Sequence, residues 1–232
     1  MNNFIDKLYK KIHIIQNIYL KNKFLLKRKT YAMEGEDLEI VKILKNIKNG
    51  FYVDAGGYHP LDRNNTYLLY KNNWRGINID LSEFSIDLFN FMRPDDININ
   101  VAVGNNDDYV TFFYQKKLSQ LTTIKKNIAN QRMQGLIKEQ KIKSNKLTTI
   151  LNNSKYKNRK IDFLNIDIEG ADFEALKSLD FDIYRPKLVC VEIYDENIDN
   201  SNINIFLKDL NYTRIWSATF SHLYTDNFIN FN

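Results

Sequence analysis

Two short segments of the chain, FLNIDI (163–168) and LVCVEI (188–193), carry apolar residues on both of their faces. A strand that covers a core with one face alternates between apolar and polar residues, whereas a parallel strand between two layers of helices is apolar on both sides. Segments with helical periodicity lie between these and other candidate strands along the chain. This alternation predicts an α/β fold with a doubly wound, mostly parallel sheet.

The same patterns locate the other elements. Further strands are predicted in FYVD, GINID, ININVAV, YVTFFYQ and YTRIWSATFSHLYT, and helices in EDLEIVKILKNIKNG, NNTYLLYKNN, EFSIDLFNFM, ADFEALKSLDF and NINIFLKDLN. YVTFFYQ is expected to pair with the strand before it. Residues 115–160 are polar and ambiguous, and we expect a helix and mobile loops over the functional site.

Composition restricts the class of protein. The chain has 232 residues, of which 44% are hydrophobic and 26% charged, as in soluble globular domains. Its one cysteine excludes a disulfide framework and a cysteine-built zinc site. No apolar run approaches the ~20 residues that span a bilayer, and the N-terminus does not have the pattern of a signal peptide. We therefore expect a cytoplasmic protein.

Positive charge is concentrated at the N-terminus. Residues 1–30 contain eight lysines and arginines against Asp6 alone, which leaves residues 31–232 slightly acidic and argues against a nucleic-acid partner. Apolar residues recur in this segment at three- and four-residue steps, which predicts an amphipathic helix. We predict a basic helical extension (1–30) and a main domain (31–232) that stands without it. The helix either packs on its own domain, joins subunits of a homo-oligomer, or makes a peripheral contact with an anionic membrane surface.

The stretch GFYVDAGGYHP (50–60) predicts a ligand site. In a doubly wound sheet, ligands bind at the carboxyl ends of the strands, and Gly56 and Gly57 follow the first strand, where a side chain would collide with a ligand. The stretch does not have the G-x-G-x-x-G spacing of a dinucleotide site. Asp54, placed before the glycines, instead suits a ligand with positive charge and no phosphate, such as S-adenosylmethionine. Asp80 ends the second strand, where a carboxylate can bind both ribose hydroxyls.

Five successive segments resemble the motifs of the FkbM family of S-adenosylmethionine-dependent methyltransferases: YAMEGEDLEI, GFYVDAGGYHP, NNTYLLYKNNWRGINIDLSEF, RPDDININVAVGNND and IDFLNIDIEGADFEAL. The resemblance implies a seven-stranded Rossmann-like sheet and methylation of a sugar hydroxyl. It implies an acceptor such as a nucleotide-activated, for example GDP-linked, sugar in bacterial surface or capsular polysaccharide biosynthesis. The residues that it assigns to the cofactor are Glu36, Asp54, Gly56, Gly57, Tyr58, Asp80, Leu81, Val101, Ala102 and Asp167.

Removal of the acceptor's proton calls for a base or a metal ion. Asp167 and Glu169 lie two residues apart at the end of the fourth strand, and Glu192 ends the next one. Asp167 and Glu169 are therefore candidate catalytic residues, and Asp167 and Glu192 are candidate ligands for Mg²⁺, which prefers oxygen atoms. A structural role for each carboxylate is equally compatible with the sequence. His59, in the glycine loop, is the third candidate base, and closing that loop is its alternative role.

Two other classes share parts of this pattern. A nicotinamide-dependent oxidoreductase has the same α/β layout, but the glycine spacing argues against it. A non-catalytic interaction module on a decayed methyltransferase fold would have lost acidic site residues, whereas Asp54, Asp80 and Asp167 are all present.

Overall fold

The computed structural model describes residues 2–229, with side chains from residue 5 onward. The strands are β1 (Phe51–Ala55), β2 (Arg75–Asp80), β3 (Ile97–Asn100), β4 (Ala102–Val103), β5 (Tyr109–Tyr114), β6 (Lys138–Asn145), β7 (Phe163–Ile166), β8 (Leu188–Glu192), β9 (Tyr212–Ser217) and β10 (Ser221–Asp226). The α-helices are α1 (Asn2–Ile15), α2 (Glu36–Ile43), α3 (Tyr67–Lys71), α4 (Glu83–Met92), α5 (Lys126–Arg132), α6 (Leu147–Asn152), α7 (Asp172–Lys177), α8 (Phe181–Tyr184) and α9 (Asn202–Asp209). A π-helix (Gln16–Lys21) and a 3₁₀ turn (Ile198–Asn200) complete them.

Seven strands form the main sheet within the described residues, in the order β3-β2-β1-β7-β8-β10-β9. The first five strands in this order run parallel, and β10 is antiparallel to both of its neighbours. The strand order reverses between β1 and β7, which is where a doubly wound sheet opens a crevice at its carboxyl edge. The predicted fold, a doubly wound, mostly parallel seven-stranded Rossmann-like sheet with an N-terminal helix, is confirmed.

The sheet is buried on both faces. One face packs with α6, α7, α8 and α9 around a large cluster that includes Leu164 and Val189. The other face packs with α2 and α3 around a smaller cluster that includes Tyr52, Phe163 and Cys190. Every residue of β1 is buried, as the apolar character of the inner strands predicts.

A second sheet of three strands, in the order β4-β6-β5, was not expected. The predicted pairing of YVTFFYQ with the preceding strand is wrong, because β5 pairs antiparallel with β6, whose sequence is KEQKIKSN. Most side chains of β6 are exposed, so the strand has no apolar alternation from which it could be predicted. Residues 115–160 are therefore more regular than the prediction of one helix and loops.

The N-terminal segment packs on the main domain through its second half. Ile14 and Ile18 are buried together with Tyr31 and Leu61, so the predicted boundary at residue 30 crosses a hydrophobic cluster. That the main domain stands without this segment stays a prediction, and removal of the segment would expose Tyr31 and Leu61. The extreme ends of the two predicted domains, residue 1 and residues 230–232, lie outside the described residues. Among those residues, every helix is too short or too polar to span a lipid bilayer.

Candidate active site

A cleft of about 670 Å³, including its open mouth, lies at the carboxyl edge of the main sheet. The cleft is at the position that the strand order predicts, where the order reverses between β1 and β7. Its walls consist of Gly56, Tyr58, Arg63, Ile79, Asp80, Leu81, Val101, Ala102, Val103, Ser119, Gln120, Thr122, Ile124, Asp167, Ile168, Glu169 and Ala171. Seven of the predicted site residues are thus brought together in one cavity, namely Gly56, Tyr58, Asp80, Leu81, Val101, Ala102 and Asp167, with Glu169 beside them.

Asp80 joins the loops after β1 and β2. Its carboxylate accepts the backbone N–H of Tyr58 at 2.8 Å and that of Ser82 at 2.7 Å. Burial raises the pKa of Asp80 to about 6, although both N–H donors act in the opposite direction. Each carboxylate oxygen keeps a second lone pair, so the group can still accept hydrogen bonds from a ligand in the cleft.

At the two glycines after β1, an added side chain would clash with other atoms of the protein. Gly56 has a φ of +85°, and a Cβ atom there would lie 1.7 Å from the backbone oxygen of Asp167. A Cβ on Gly57 would lie 2.9 Å from the ring of Phe89. Gly56 lines the cleft and Gly57 does not. The expectation that a side chain would meet a ligand therefore needs correction, because at both positions it would first meet protein atoms.

Asp54 lies beneath the cleft and is not part of its wall. Its carboxylate accepts hydrogen bonds from Asn165 at 2.9 Å, Thr66 at 2.7 Å and Asn64 at 3.2 Å. The buried guanidinium of Arg93 donates to the same Asn64 and Thr66 side chains. The predicted contact between Asp54 and a cofactor stays a prediction, and the hydrogen bonds of Asp54 hold the segment after the glycine loop.

Glu36 is also buried outside the cleft wall, in the first turn of α2. Its Oε2 atom accepts the backbone N–H of Glu34 at 2.7 Å. Leu81, Val101 and Ala102 form the apolar end of the cleft, where a flat aromatic group could be enclosed. The cofactor roles of these four residues stay predictions.

Two residues of the cleft wall, Asp167 and Glu169, form an acidic cluster with Glu192, which ends β8. One oxygen of each carboxylate lies within 4.8 Å of the other two. Burial and the neighbouring carboxylates raise the pKa of Asp167 well above its usual range, and they raise that of Glu192 to about 8. One carboxylate oxygen of Asp167 lies within 4.8 Å of one of Glu192, and this proximity contributes to the raised pKa of Asp167. The cluster can thus hold or accept a proton near neutral pH.

The backbone turn after β7 fixes this cluster. Asp172 accepts the N–H groups of Ile168 and Gly170, both at 2.9 Å, and so closes the turn. Glu169 has a φ of +55° in that turn, and its carboxylate forms a salt bridge with Arg132 of α5. Arg132 in turn lies over the ring of Tyr194, 3.9 Å from its centroid. Arg132 was not predicted, because a single arginine in a polar segment gives no sequence signal.

His59 is placed away from the cleft, and the prediction that it acts as a base conflicts with its position. The side chain is buried, and Nδ1 accepts the backbone N–H groups of Leu61 and Asp62, both at 3.0 Å. Nε2 faces the side chains of Asn17 and Asn22 in the N-terminal segment. Burial lowers the pKa of His59 to about 3, so the ring is neutral and closes the loop, which was the alternative role.

Comparison with known proteins identifies the family. The family model described as "Methyltransferase FkbM domain" matches residues 54–214, well over half of the chain. The chain belongs to the FkbM methyltransferase family. A search of curated proteins found no match. The matched region begins at the end of β1 and includes the walls of the cleft and the acidic cluster.

Membership in the FkbM family makes this protein a methyltransferase. Family membership therefore argues against both alternatives, the nicotinamide-dependent oxidoreductase and the non-catalytic module. The cleft and the acidic cluster are accordingly the candidate methyl-donor and acceptor regions of an FkbM enzyme. The loop 119–124, which the sequence placed only as part of a segment over the site, belongs to the cleft wall, and Arg132 contacts the acidic cluster through its salt bridge with Glu169.

Proposed function

We propose that this FkbM protein is an S-adenosylmethionine-dependent O-methyltransferase that methylates a hydroxyl group of a sugar. The acceptor that we propose is a nucleotide-activated sugar, such as a GDP-linked one, used in bacterial surface or capsular polysaccharide biosynthesis. The observation that carries the proposal is that Asp80, at the end of β2, and Asp167, after β7, both line one cleft on either side of β1. A nucleoside-binding carboxylate and a proton acceptor thus line the same cavity.

The residues of the cleft fit S-adenosylmethionine. Asp80 retains acceptor lone pairs for the two ribose hydroxyls, and the apolar end formed by Leu81, Val101 and Ala102 suits adenine. The acidic residues Asp167 and Glu169 of the cleft wall suit a ligand with ammonium and sulfonium charges. When bound, this cofactor supplies an electrophilic methyl group.

The chain's own contribution to the reaction is alignment and proton transfer. The acceptor hydroxyl must approach the methyl carbon opposite to the sulfur atom, and holding that geometry supplies much of the rate. As the oxygen–carbon bond forms and the carbon–sulfur bond breaks, the hydroxyl proton needs an acceptor. The ionised Asp167–Glu192 pair is our candidate, because a base with a pKa near the working pH is the most effective one. Glu169 is held by Arg132, which favours a positioning role for that residue.

The acidic cluster also fits Mg²⁺. Its three oxygen donors are of the type that this ion prefers, and Oε2 of Glu192 is buried without a hydrogen-bond partner. Asp167 and Glu192 would be ligands, with Glu169 as the third unless Arg132 retains it. A bound ion would increase the acidity of a coordinated hydroxyl group.

Three measurements test the proposal. Calorimetry should give saturable binding of S-adenosylhomocysteine and none of NAD; the reverse result would overturn the cofactor. Mass spectrometry should then detect a methylated product among nucleotide sugars incubated with enzyme and S-adenosylmethionine. Binding of the cofactor together with methylation of a non-sugar acceptor would overturn the acceptor class alone. Loss of turnover in EDTA that Mg²⁺ restores would identify the metal-assisted route, and turnover that chelation leaves unchanged would exclude it.

A further inference from the structure

Helix α1 presents an apolar stripe to solvent. Ile5, Leu8, Ile12 and Ile15 recur at three- and four-residue intervals, which places them on one face of the helix. All four side chains are between 43% and 50% exposed. Ile14 is buried against the main domain instead. Apart from Ile14, every side chain described in α1 is exposed, so the rest of the described chain does not cover the apolar stripe.

The exposed apolar surface continues beyond α1. Leu20, Leu25 and Leu26 are 72%, 79% and 60% exposed, and Tyr19 is also partly exposed. Isolated exposed leucines are common, but a run of them along one segment marks an interaction surface. We refer to this surface, formed by Ile5, Leu8, Ile12, Ile15, Tyr19, Leu20, Leu25 and Leu26, as the apolar ridge.

Two basic chain segments meet at α1, in a groove that also contains Asp6, Glu83 and Asp87. The first is the N-terminal segment itself, with its net charge of +7. The second is residues 115–160, which contain thirteen lysines and arginines against Glu139 alone. The two meet in space, because Tyr9 and Lys10 of α1 line the same groove as Lys116, Lys117, Lys141 and Lys143. The net charge of residues 31–232 is slightly negative, although they contain this second basic segment.

We propose that the apolar ridge binds the surface of an anionic lipid bilayer, with α1 lying in the plane of the interface. The leucine and isoleucine side chains would enter the boundary between headgroups and acyl chains, and lysines of the two basic segments would face the anionic headgroups. A second copy of the chain is the competing occupant. It would bring two segments of +7 charge together, which electrostatic repulsion opposes, whereas an anionic surface complements both basic segments.

Side-chain contacts connect the N-terminal segment, which carries the apolar ridge, to the elements that form the cleft. Lys10 of α1 forms a salt bridge with Asp87 of α4 at 2.6 Å, and α4 follows the loop that carries Asp80. Asn17 and Asn22, in and beyond the π-helix, face His59 of the loop after β1. Attachment to a bilayer would therefore hold the cleft in a fixed orientation to the membrane surface.

Sedimentation with lipid vesicles tests the proposal on the full-length protein. We expect it to pellet with vesicles containing about one third phosphatidylglycerol, and to remain in the supernatant with pure phosphatidylcholine. Binding should weaken at least tenfold when ionic strength rises from about 0.05 M to 0.5 M, because salt screens the attraction of the lysines. Failure to bind the anionic vesicles at low salt, or equal binding to neutral vesicles, would overturn the proposal.

Matched leucine variants test the ridge directly. Leu20→Ser combined with Leu25→Ser should weaken vesicle binding about tenfold, since the burial of two leucine side chains is lost. Leu136→Ser is the control, because Leu136 is 78% exposed, as Leu25 is at 79%, but lies in another segment. Melting temperatures should be unchanged in all variants, since these side chains are exposed. If the double variant instead dissociates a dimer and leaves vesicle binding unchanged, the ridge is a subunit interface and the proposal is wrong.

Discussion

Nε2 of His59 lies 2.8 Å from the side-chain oxygen of Asn17, so an imidazole in the loop after β1 is bonded to the N-terminal segment. Because Nδ1 accepts two backbone N–H groups, the proton of the neutral ring must be on Nε2, where it is donated to Asn17. This arrangement makes His59 a structural residue.

His59→Ala should lower the free energy of unfolding by about 2–3 kcal/mol, because it leaves buried N–H groups without an acceptor. His59→Asn is the matched control, since its Oδ1 atom can replace Nδ1, and it should lose less. Urea unfolding measures both. A loss of turnover in His59→Ala with unchanged stability would restore the catalytic interpretation.

The stability conferred by His59 should depend on pH. Its pKa is about 3 in the folded state against 6.5 when unfolded, so the unfolded state binds more protons between these values. Wild-type stability should therefore fall as the pH is lowered from 6.5 towards 3, and His59→Asn should reduce that slope. Unfolding curves at pH 4.5 and 7.5 measure the difference. Equal slopes in the two proteins would contradict the lowered pKa.

Gly56→Ala should destabilise the protein by more than about 3 kcal/mol, because the added methyl group meets the Asp167 carbonyl as well as an unfavourable φ. The control Gly135→Ala measures the cost of the unfavourable φ without a steric contact. Gly135 has a φ of +88° but has nothing within 4 Å of the added Cβ, so its cost should be about 1 kcal/mol. Chemical denaturation gives both values, and similar losses would show that the close approach is relieved at little cost.

The Asp167–Glu192 pair should make the protein less stable as the pH rises. The pKa of Glu192 is about 8 in the folded state against about 4.5 unfolded, so the folded state retains a proton that the unfolded state has lost. Stability measured in EDTA should fall between pH 4.5 and 8, and Glu192→Gln should remove much of that fall. The exposed Glu139 supplies the control, Glu139→Gln, which should leave the profile unchanged.

Asp80→Asn should weaken the binding of S-adenosylhomocysteine at least tenfold, because an amide replaces the carboxylate that we assign to the ribose. Asp107→Asn is the control, since Asp107 also accepts a backbone N–H, from Lys146 at 2.9 Å, but is exposed and absent from the cleft wall. Calorimetry on the two variants is the measurement. Equal affinity in Asp80→Asn and wild type would remove Asp80 from the proposed site.

The sequence predicted those features that depend on local pattern. The apolar strands β7 and β8 identified a sheet covered on both faces, and strand-end positions identified Asp80 and Asp167 as residues of one edge. β6 could not be predicted in this way. This strand is held by its pairing with β5 and β4 rather than by an apolar face. Strand pairing does not produce a periodic pattern of apolar residues in the sequence.

The direction in which individual side chains point also could not be predicted from the sequence. Asp54 and His59 belong to the same eleven-residue stretch as Gly56 and Tyr58, yet the first two turn into the protein and the second two line the cleft. The partners that decide this, Asn165 and Asn17, lie far from the stretch in sequence. An asparagine that binds a distant buried side chain has the same local pattern as one in an exposed loop.

A backbone hydrogen bond joins the ends of β1 and β7. The N–H of Asp167 donates to the carbonyl of Ala55 at 3.0 Å, next to the contact between Gly56 and the Asp167 carbonyl. The glycine loop and the acidic cluster thus share a main-chain junction, which a side chain at Gly56 would disrupt. Arg132 and Tyr194, in contrast, reach the cluster from α5 and from the segment after β8. Under the proposed function, the residues around the acceptor can therefore diverge during evolution while the alignment of the methyl donor is inherited unchanged.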